Sequence, residues 1–191
     1  MKQSIAFQKS KNPTKWKLDD GDDFDSKTIQ ETLDNLATIM GKILKRAAPI
    51  AHSNMVKDSE AAIDCRIGLG EPNTRPFCGV TAVCDFCAHS HTDFRNADGA
   101  ATVGLTLKND DRTSDVQFHV LTKYRPAQVN SDTGGVALAL ANGAVLIECA
   151  KLETHATTKL ENPHRINPSR MGLIFYLHRF MDKPHHGGTI L

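Results

Sequence analysis

Apolar positions in the first third of the chain recur at helical spacing. Ile29, Leu33, Leu36, Met40, Ile43 and Leu44 fall three or four apart, which predicts one apolar face on a helix over about 26–48. Thr28 and Glu31 have the spacing of a capping box. Asp19, Asp20, Asp22, Asp23 and Asp25 precede the helix, and Lys42, Lys45 and Arg46 close it, which complements the helix dipole. Pro49 is read as the stop. The helix reads as a scaffold packed on a sheet, with no chemistry of its own.

From residue 76 the pattern changes to short runs of β type: FCGVTAVCDFCAH, ATVGLTL, VQFHVLT, GVALALA, AVLIECA, THATT and GLIFYLHR. Turn-forming residues separate them at Asn96–Gly99, Asn109–Arg112, Ser131–Gly135, Asn142-Gly143 and Asn162-Pro163. Many short strands with polar turns predict a sandwich or barrel. Asn142-Gly143 between two apolar runs predicts a hairpin. The fold class is therefore mainly β with an N-terminal helix (α+β), with the barrel over about 76–180. The polar stretch 1–17, with Lys2, Lys9, Lys11, Lys15 and Lys17, reads as a basic N-terminal segment. Residues 18–191 read as a single domain. No internal repeat or low-complexity tract interrupts them.

Composition narrows the class without naming a function. The 191 residues are 40% hydrophobic and 24% charged, as in an ordinary folded core. A net charge of +1 excludes binding to nucleic acid by bulk charge alone, though not through local basic patches. No apolar run approaches the roughly 18 residues of a membrane span, and the N-terminus lacks an apolar signal core. Five cysteines favour free thiols or metal ligands over a disulfide framework.

The most informative stretch is Ala88-His89-Ser90-His91-Thr92-Asp93. Residues two apart on a strand share a face, so His91 and Asp93 can point at one centre. His89 has the same parity, but the H-x-D pairing favours His91. A second imidazole would complete a two-histidine, one-carboxylate face, which holds Fe(II) with positions left open. His155, in Glu153-Thr154-His155-Ala156-Thr157-Thr158, is the best candidate. Arg170 follows 15 residues later, where a guanidinium can clamp a carboxylate in bidentate fashion. The competing reading is that His91 and His155 are hydrogen-bonded core histidines. Cys84-Asp85-Phe86-Cys87 reads as C-x-x-C, but on one extended strand residues three apart face opposite ways and cannot share zinc.

Phe77-Cys78-Gly79-Val80-Thr81-Ala82, then Asp85 through Asp93, resembles the catalytic core of the ten-eleven translocation (TET) methylcytosine dioxygenases. So do Leu146–Lys151 running into His155-Ala156-Thr157-Thr158, and Phe175-Tyr176-Leu177-His178. The resemblance covers about Trp16 to His186, and extends to the J-binding-protein oxygenases of DNA thymine. It implies a double-stranded β-helix of jelly-roll type, Fe(II) and 2-oxoglutarate, and oxidation of 5-methylcytosine in DNA to 5-hydroxymethylcytosine, with 5-formyl- and 5-carboxylcytosine beyond it. Carried over by residue, it implies iron on His91, Asp93 and His155. It gives Arg170 and His119 to 2-oxoglutarate, and Asn96 and His178 to a flipped methylcytosine. Tyr176 would shape the base pocket with Thr81 behind it. Cys65, His89 and His186 match positions that bind structural zinc. A nuclear location follows from the resemblance, since Lys9 to Lys17 is too sparse for an import signal.

The sequence also departs from the family's pattern. Animal members carry a cysteine-rich region ahead of the helical segment, and this chain begins too late to contain it. Cys65, His89 and His186 then lack most of their zinc partners, with Cys78 or water as a fourth ligand, so well-occupied zinc is not expected. Gly172 stands where the family has Ser, and Val83 where it has Cys. Arg95 and Ala97 beside Asn96 differ too, and Lys123 to Gly135 is a short link in place of a long insertion. Arg165, Arg170, Arg179, Lys159 and Lys183 are candidates for a local basic rim. Two alternatives stay open: a catalytically weak fragment or paralogue serving as a DNA- or partner-binding module, and an oxygenase acting on thymine or RNA.

Overall fold

The computed structural model describes residues 4–8, 26–61, 69–109, 117–121, 135–160 and 167–179. By contact the chain divides into two compact units. One comprises 1–6, 81–96 and 101–174; the other comprises 7–80, 97–100 and 175–191.

In the second unit, helix α1 runs Ser26–Ala47 and helix α2 Pro49–Ala61. The buried face of α1 is Leu33, Ala37, Met40, Gly41 and Leu44, with Leu36 and Ile43 at its margins. Thr28 lies inside the first turn rather than ahead of it, so it does not occupy the N-cap position. Pro49 ends one helix and opens another, where sequence gave only an end. Its fixed φ suits a first helical turn, and the N–H it lacks is one that a helix start leaves unpaired. The α1 helix also fastens the segment after α2. Asp34 Oδ1 accepts the Gly70 N–H at 2.9 Å, and Thr38 Oγ1 accepts the Glu71 N–H at 3.1 Å. Gly70 has φ +102°, a conformation that favours glycine, and a Cβ there would also crowd Thr38 Oγ1 at 3.2 Å. Phe77 and Phe175 pack with ring centroids 5.6 Å apart and are fully buried.

The strands are β1 Ser4–Gln8, β2 Gly79–Cys84, β3 Ala88–His91, β4 Thr102–Lys108, β5 Phe118–Leu121, β6 Val136–Ala139, β7 Val145–Glu148, β8 His155–Thr157 and β9 Arg170–Tyr176. They form a five-stranded sheet in the order β1-β2-β9-β4-β7 and a four-stranded sheet in the order β3-β8-β5-β6. Pairs β4–β7, β3–β8, β5–β6 and β5–β8 are antiparallel. Apart from β1–β2 and β5–β6, strands that follow one another in sequence pass from sheet to sheet, as in a jelly roll. The N-terminal basic segment supplies β1 at a sheet edge.

Two readings change here. The run FCGVTAVCDFCAH is two strands, β2 and β3, in different sheets. Asp85 breaks it with a left-handed φ of 43°, so Cys84 and Cys87 do not lie on one extended strand. The Asn142-Gly143 turn joins β6 to β7, and these strands also belong to different sheets. The turn chemistry is as predicted, with Gly143 at φ +74° and Ala144 N–H bonded to Ala141 O at 3.1 Å. Its outer groups bond to β4 instead of closing a hairpin. Gly143 N–H donates to Thr106 O at 2.8 Å, and Asn142 Oδ1 accepts the Lys108 N–H at 2.9 Å.

Candidate metal centre

Strands β3 and β8 pair so that His91 lies opposite His155, with an irregularity between Ala88 and His91. Asp93 lies two residues past the end of β3, where its N–H donates to Ala150 O at 2.8 Å. This backbone bond carries the β3–β8 neighbourhood beyond the strands and brings Asp93 beside the two imidazoles. One ligand atom from each of His91, Asp93 and His155 lies within 4.8 Å of the others. The His91 and His155 ring centroids are 4.4 Å apart, and His91 Nε2 is 3.6 Å from Asp93 Oδ1.

The chemistry of this donor set fits a first-row divalent metal. His91 Nδ1 is 2.7 Å from His89 O, and His155 Nδ1 is 3.0 Å from Glu153 O. A carbonyl accepts only, so each Nδ1 carries a proton, and in the neutral ring the lone pair then lies on Nε2. That fixes the tautomer a metal ligand requires and orients the ring. Burial pushes Asp93 above the usual carboxylate range. His155 and His91 pull it back down, and Glu148 adds to the rise. A divalent cation at the centre would relieve that penalty by favouring the carboxylate.

His119, in β5, adds a third imidazole, 5.6 Å from the His155 ring and nearly parallel to it. Its Nε2 is 2.9 Å from Glu148 Oε2, and both side chains are buried. Glu148 belongs to β7 of the other sheet, so this pair is a polar link between sheets. Gln117 makes a second such link. Its Nε2 donates to Phe86 O and Thr158 O, each at 2.7 Å, and its Oε1 accepts from Arg170 at 2.9 Å. Gln117 and His119 are two apart and both buried, hence on one face of the strand.

Arg170 opens β9, half-buried, with its second guanidinium nitrogen 3.4 Å from Thr106 Oγ1. Burial lowers its pKa from the ordinary arginine value. At the backbone, Asp85 Oδ1 and Oδ2 accept the N–H groups of Arg170 and Ser169 at 2.9 and 3.1 Å. The Asp85 N–H returns a bond to Arg170 O at 2.9 Å. Arg170 is thus an inward cation, not part of a surface rim. Of the other rim candidates, Lys159 is exposed and Arg179 follows β9, while Arg165 and Lys183 lie outside the described residues.

The remaining candidates are placed as follows. Asn96 is buried, and its Nδ2 donates to Thr102 Oγ1 at 2.9 Å. Thr81 is half-buried in β2. In the second unit, Tyr176 lies against Gly79. A Cβ at residue 79 would meet the ring at 2.9 Å, so glycine there makes the ring's seat. His178 N–H donates to Cys78 Sγ at 3.1 Å. Burial pushes the Cys78 thiol up to about 11. His89 is exposed, and its carbonyl rather than its ring serves the centre. Cys65 and His186 lie outside the described residues, as do most of residues 123–135.

Sequence reasoning missed Gln117, Glu148 and Asp85. Strand parity with His119 would have found Gln117. The other two reach across sheets or chain segments and carry no local signal.

Gly172 in β9 and Val83 in β2 are packed against each other. A Cβ on Gly172 would lie 2.8 Å from Val83 Cγ2. The extra methyl at residue 83 occupies the space that a side chain at residue 172 would need.

Two metal-ready imidazoles and a carboxylate stand on a jelly roll that also holds an inward arginine through a polar network. These features define the class as a 2-oxoglutarate- and iron-dependent oxygenase. The family model for the oxygenase domain of the 2OGFeDO superfamily, Tet_JBP, matches residues 2–179, and the chain belongs to that family. It is 40% identical to methylcytosine dioxygenase TET3 of Homo sapiens over 135 residues, 68% of this chain and 7% of that protein. It is 41% identical to methylcytosine dioxygenase TET2 of Mus musculus over 124 residues, 62% of this chain and 6% of that protein. With methylcytosine dioxygenase TET of Drosophila melanogaster the identity is 42% over 101 residues, 50% of this chain and 4% of that protein. The chain therefore spans a small fraction of the length of these relatives. Among the described residues, no helix is long and apolar enough to cross a membrane.

Proposed function

We propose that the chain is a dioxygenase that oxidises 5-methylcytosine in DNA to 5-hydroxymethylcytosine, and onward to the formyl and carboxyl bases. The observation that carries this reading is the convergence of His91, Asp93 and His155, with each histidine Nδ1 held by a backbone carbonyl, in a family whose relatives are named methylcytosine dioxygenases. His91, Asp93 and His155 would hold Fe(II), and Arg170 would clamp a carboxylate of 2-oxoglutarate. When bound, the metal would supply dioxygen activation, with one oxygen atom going to the methyl C–H bond and the other to 2-oxoglutarate as it loses carbon dioxide to become succinate.

The protein's own work is positioning. Gln117 and Thr106 orient the guanidinium, so Arg170 presents its remaining donors in a fixed direction. Glu148 fixes the His119 ring beside His155, where His119 would take part in seating the co-substrate. A base inside a duplex keeps its methyl group away from a buried metal, so the nucleotide must be extruded and read by its edge. Asn96 and His178 would supply the edge hydrogen bonds, with Tyr176 as a stacking face and Thr81 lining the pocket. Residues 18–191 would act as one catalytic domain, and the site of action would be nuclear DNA.

The test is incubation of the chain with Fe(II), 2-oxoglutarate and a methyl-CpG duplex, followed by nucleoside mass spectrometry. Hydroxymethylcytosine from the wild type, and none from His91→Ala/Asp93→Ala, is expected. Absence of product alongside intact iron and 2-oxoglutarate binding would instead favour the binding-module reading.

A further inference from the structure

Four large apolar side chains stand in solvent among the described residues: Ile39, Ile50, Phe94 and Leu152. The first two are on the helices. The other two lie on the loops that carry the metal ligands. Phe94 follows Asp93 directly and is 60% exposed; Leu152 comes three residues before His155 and is 75% exposed. The Asp93 N–H to Ala150 O bond ties these loops together. Single exposed apolar residues need no explanation, but two on bonded loops, one beside Asp93 and one three residues before His155, do.

Neither is exposed for want of loop structure. Leu152 and Glu153 both donate their N–H groups to Cys149 O at 2.9 Å, which closes the turn and leaves the Leu152 side chain outside. The Glu153 carboxylate is folded back onto the Cys149 N–H at 3.0 Å and so is engaged within the turn. Beside Phe94, the Arg95 guanidinium lies 5.5 Å from the ring centroid. An apolar face with a cation at its edge suits a partner that offers stacked rings and phosphates together. A duplex that has surrendered a base also leaves an apolar gap to be filled.

We propose that Phe94 and Leu152 form a lip that packs into the opened base step of a DNA duplex, with Arg95 on the adjacent phosphate. The proposal rests on the reading that the substrate is methylcytosine in DNA. It adds which residues hold the duplex open, and it makes a duplex the preferred substrate over a single strand.

The experiment uses the full chain loaded with Fe(II) and 2-oxoglutarate without oxygen. Fluorescence anisotropy compares a labelled methyl-CpG duplex with its single methylated strand, for wild type and for Phe94→Ala/Leu152→Ala. Both substituted residues are exposed, and unchanged iron affinity of the variant checks that its fold is intact. The lip predicts a loss of duplex affinity of about tenfold, with single-strand affinity altered by less than about twofold. A 2-aminopurine beside the methylcytosine should brighten on wild-type binding and stay quenched with the variant. Equal losses on both DNAs, no loss on either, or no duplex binding by the wild type would overturn the proposal. Lip-dependent duplex binding with no hydroxymethylcytosine after oxygen is admitted would sink the oxidation reading alone. Normal duplex oxidation by the double variant would sink the lip alone.

Discussion

The metal-binding face and the arginine arm are built by different means. His91 and His155 are each oriented by the carbonyl two residues earlier in the chain. Arg170 is oriented by groups 85, 53 and 64 residues away: Asp85 at its backbone, Gln117 and Thr106 at its guanidinium. The first arrangement is local geometry repeated on two paired strands. The second exists only once both sheets are assembled. A site that needs both inherits its ligand chemistry from short range and its co-substrate geometry from long range.

The largest effect should come from breaking the local half. His155→Ala removes an imidazole that no other described residue replaces. Iron affinity and turnover should fall by more than the roughly 10–100-fold typical of losing a group that only supports a ligand. Metal analysis after dialysis and product counting would check both. Breaking the long-range half should separate the two functions. Gln117→Leu leaves the ligands in place but takes from Arg170 a hydrogen bond to a charged group, worth about 1.5–3 kcal/mol. The KM for 2-oxoglutarate should rise about tenfold or more on that basis, with iron affinity unchanged. An equal loss of iron would show that the halves are not separable.

Asp85→Ala should act on stability before chemistry, since the carboxylate caps two backbone N–H groups at the start of β9. The expected cost is about 1–3 kcal/mol, read by denaturant unfolding. Asp85→Asn keeps an acceptor and tolerates the left-handed φ, so it should cost less. The smallest effect belongs to Gly172→Ser, which crowds Val83 and should cost about 1 kcal/mol, the low end of what overpacking costs. Adding Val83→Cys should recover part of that cost, and a double-mutant cycle that sums without coupling would refute the shared-space account.

The same local and distant division explains what the sequence disclosed. The H-x-D spacing, a short-range fact, paired His91 with Asp93, whereas His155, 64 residues on, was one candidate in a β-type run until the family resemblance matched it. The fold class was legible because short apolar runs and turn residues alternate along the chain. Helix α2 was not, because among its described positions two of the three buried ones are polar, His52 and Ser59 beside Met55. No apolar stripe marks it. The Asn142-Gly143 hairpin was misread because a tight turn has the same chemistry whether its strands pair with each other or with separate sheets. Glu148 and Asp85 were invisible for the reason Arg170's placement was: their partners are brought by topology, not by neighbours in sequence.

The central claim is that one centre binds iron and 2-oxoglutarate together, the metal through local ligands and the co-substrate through the arginine arm. An anaerobic titration of the chain with Fe(II), then with 2-oxoglutarate, tests it directly by the visible absorption that arises when the 2-oxo acid chelates the metal. The account predicts one iron per chain, absorption that requires both additions, its loss in His155→Ala, and a weaker 2-oxoglutarate dependence in Gln117→Leu. Iron bound without any 2-oxoglutarate-dependent absorption, or absorption undiminished in His155→Ala, would contradict it.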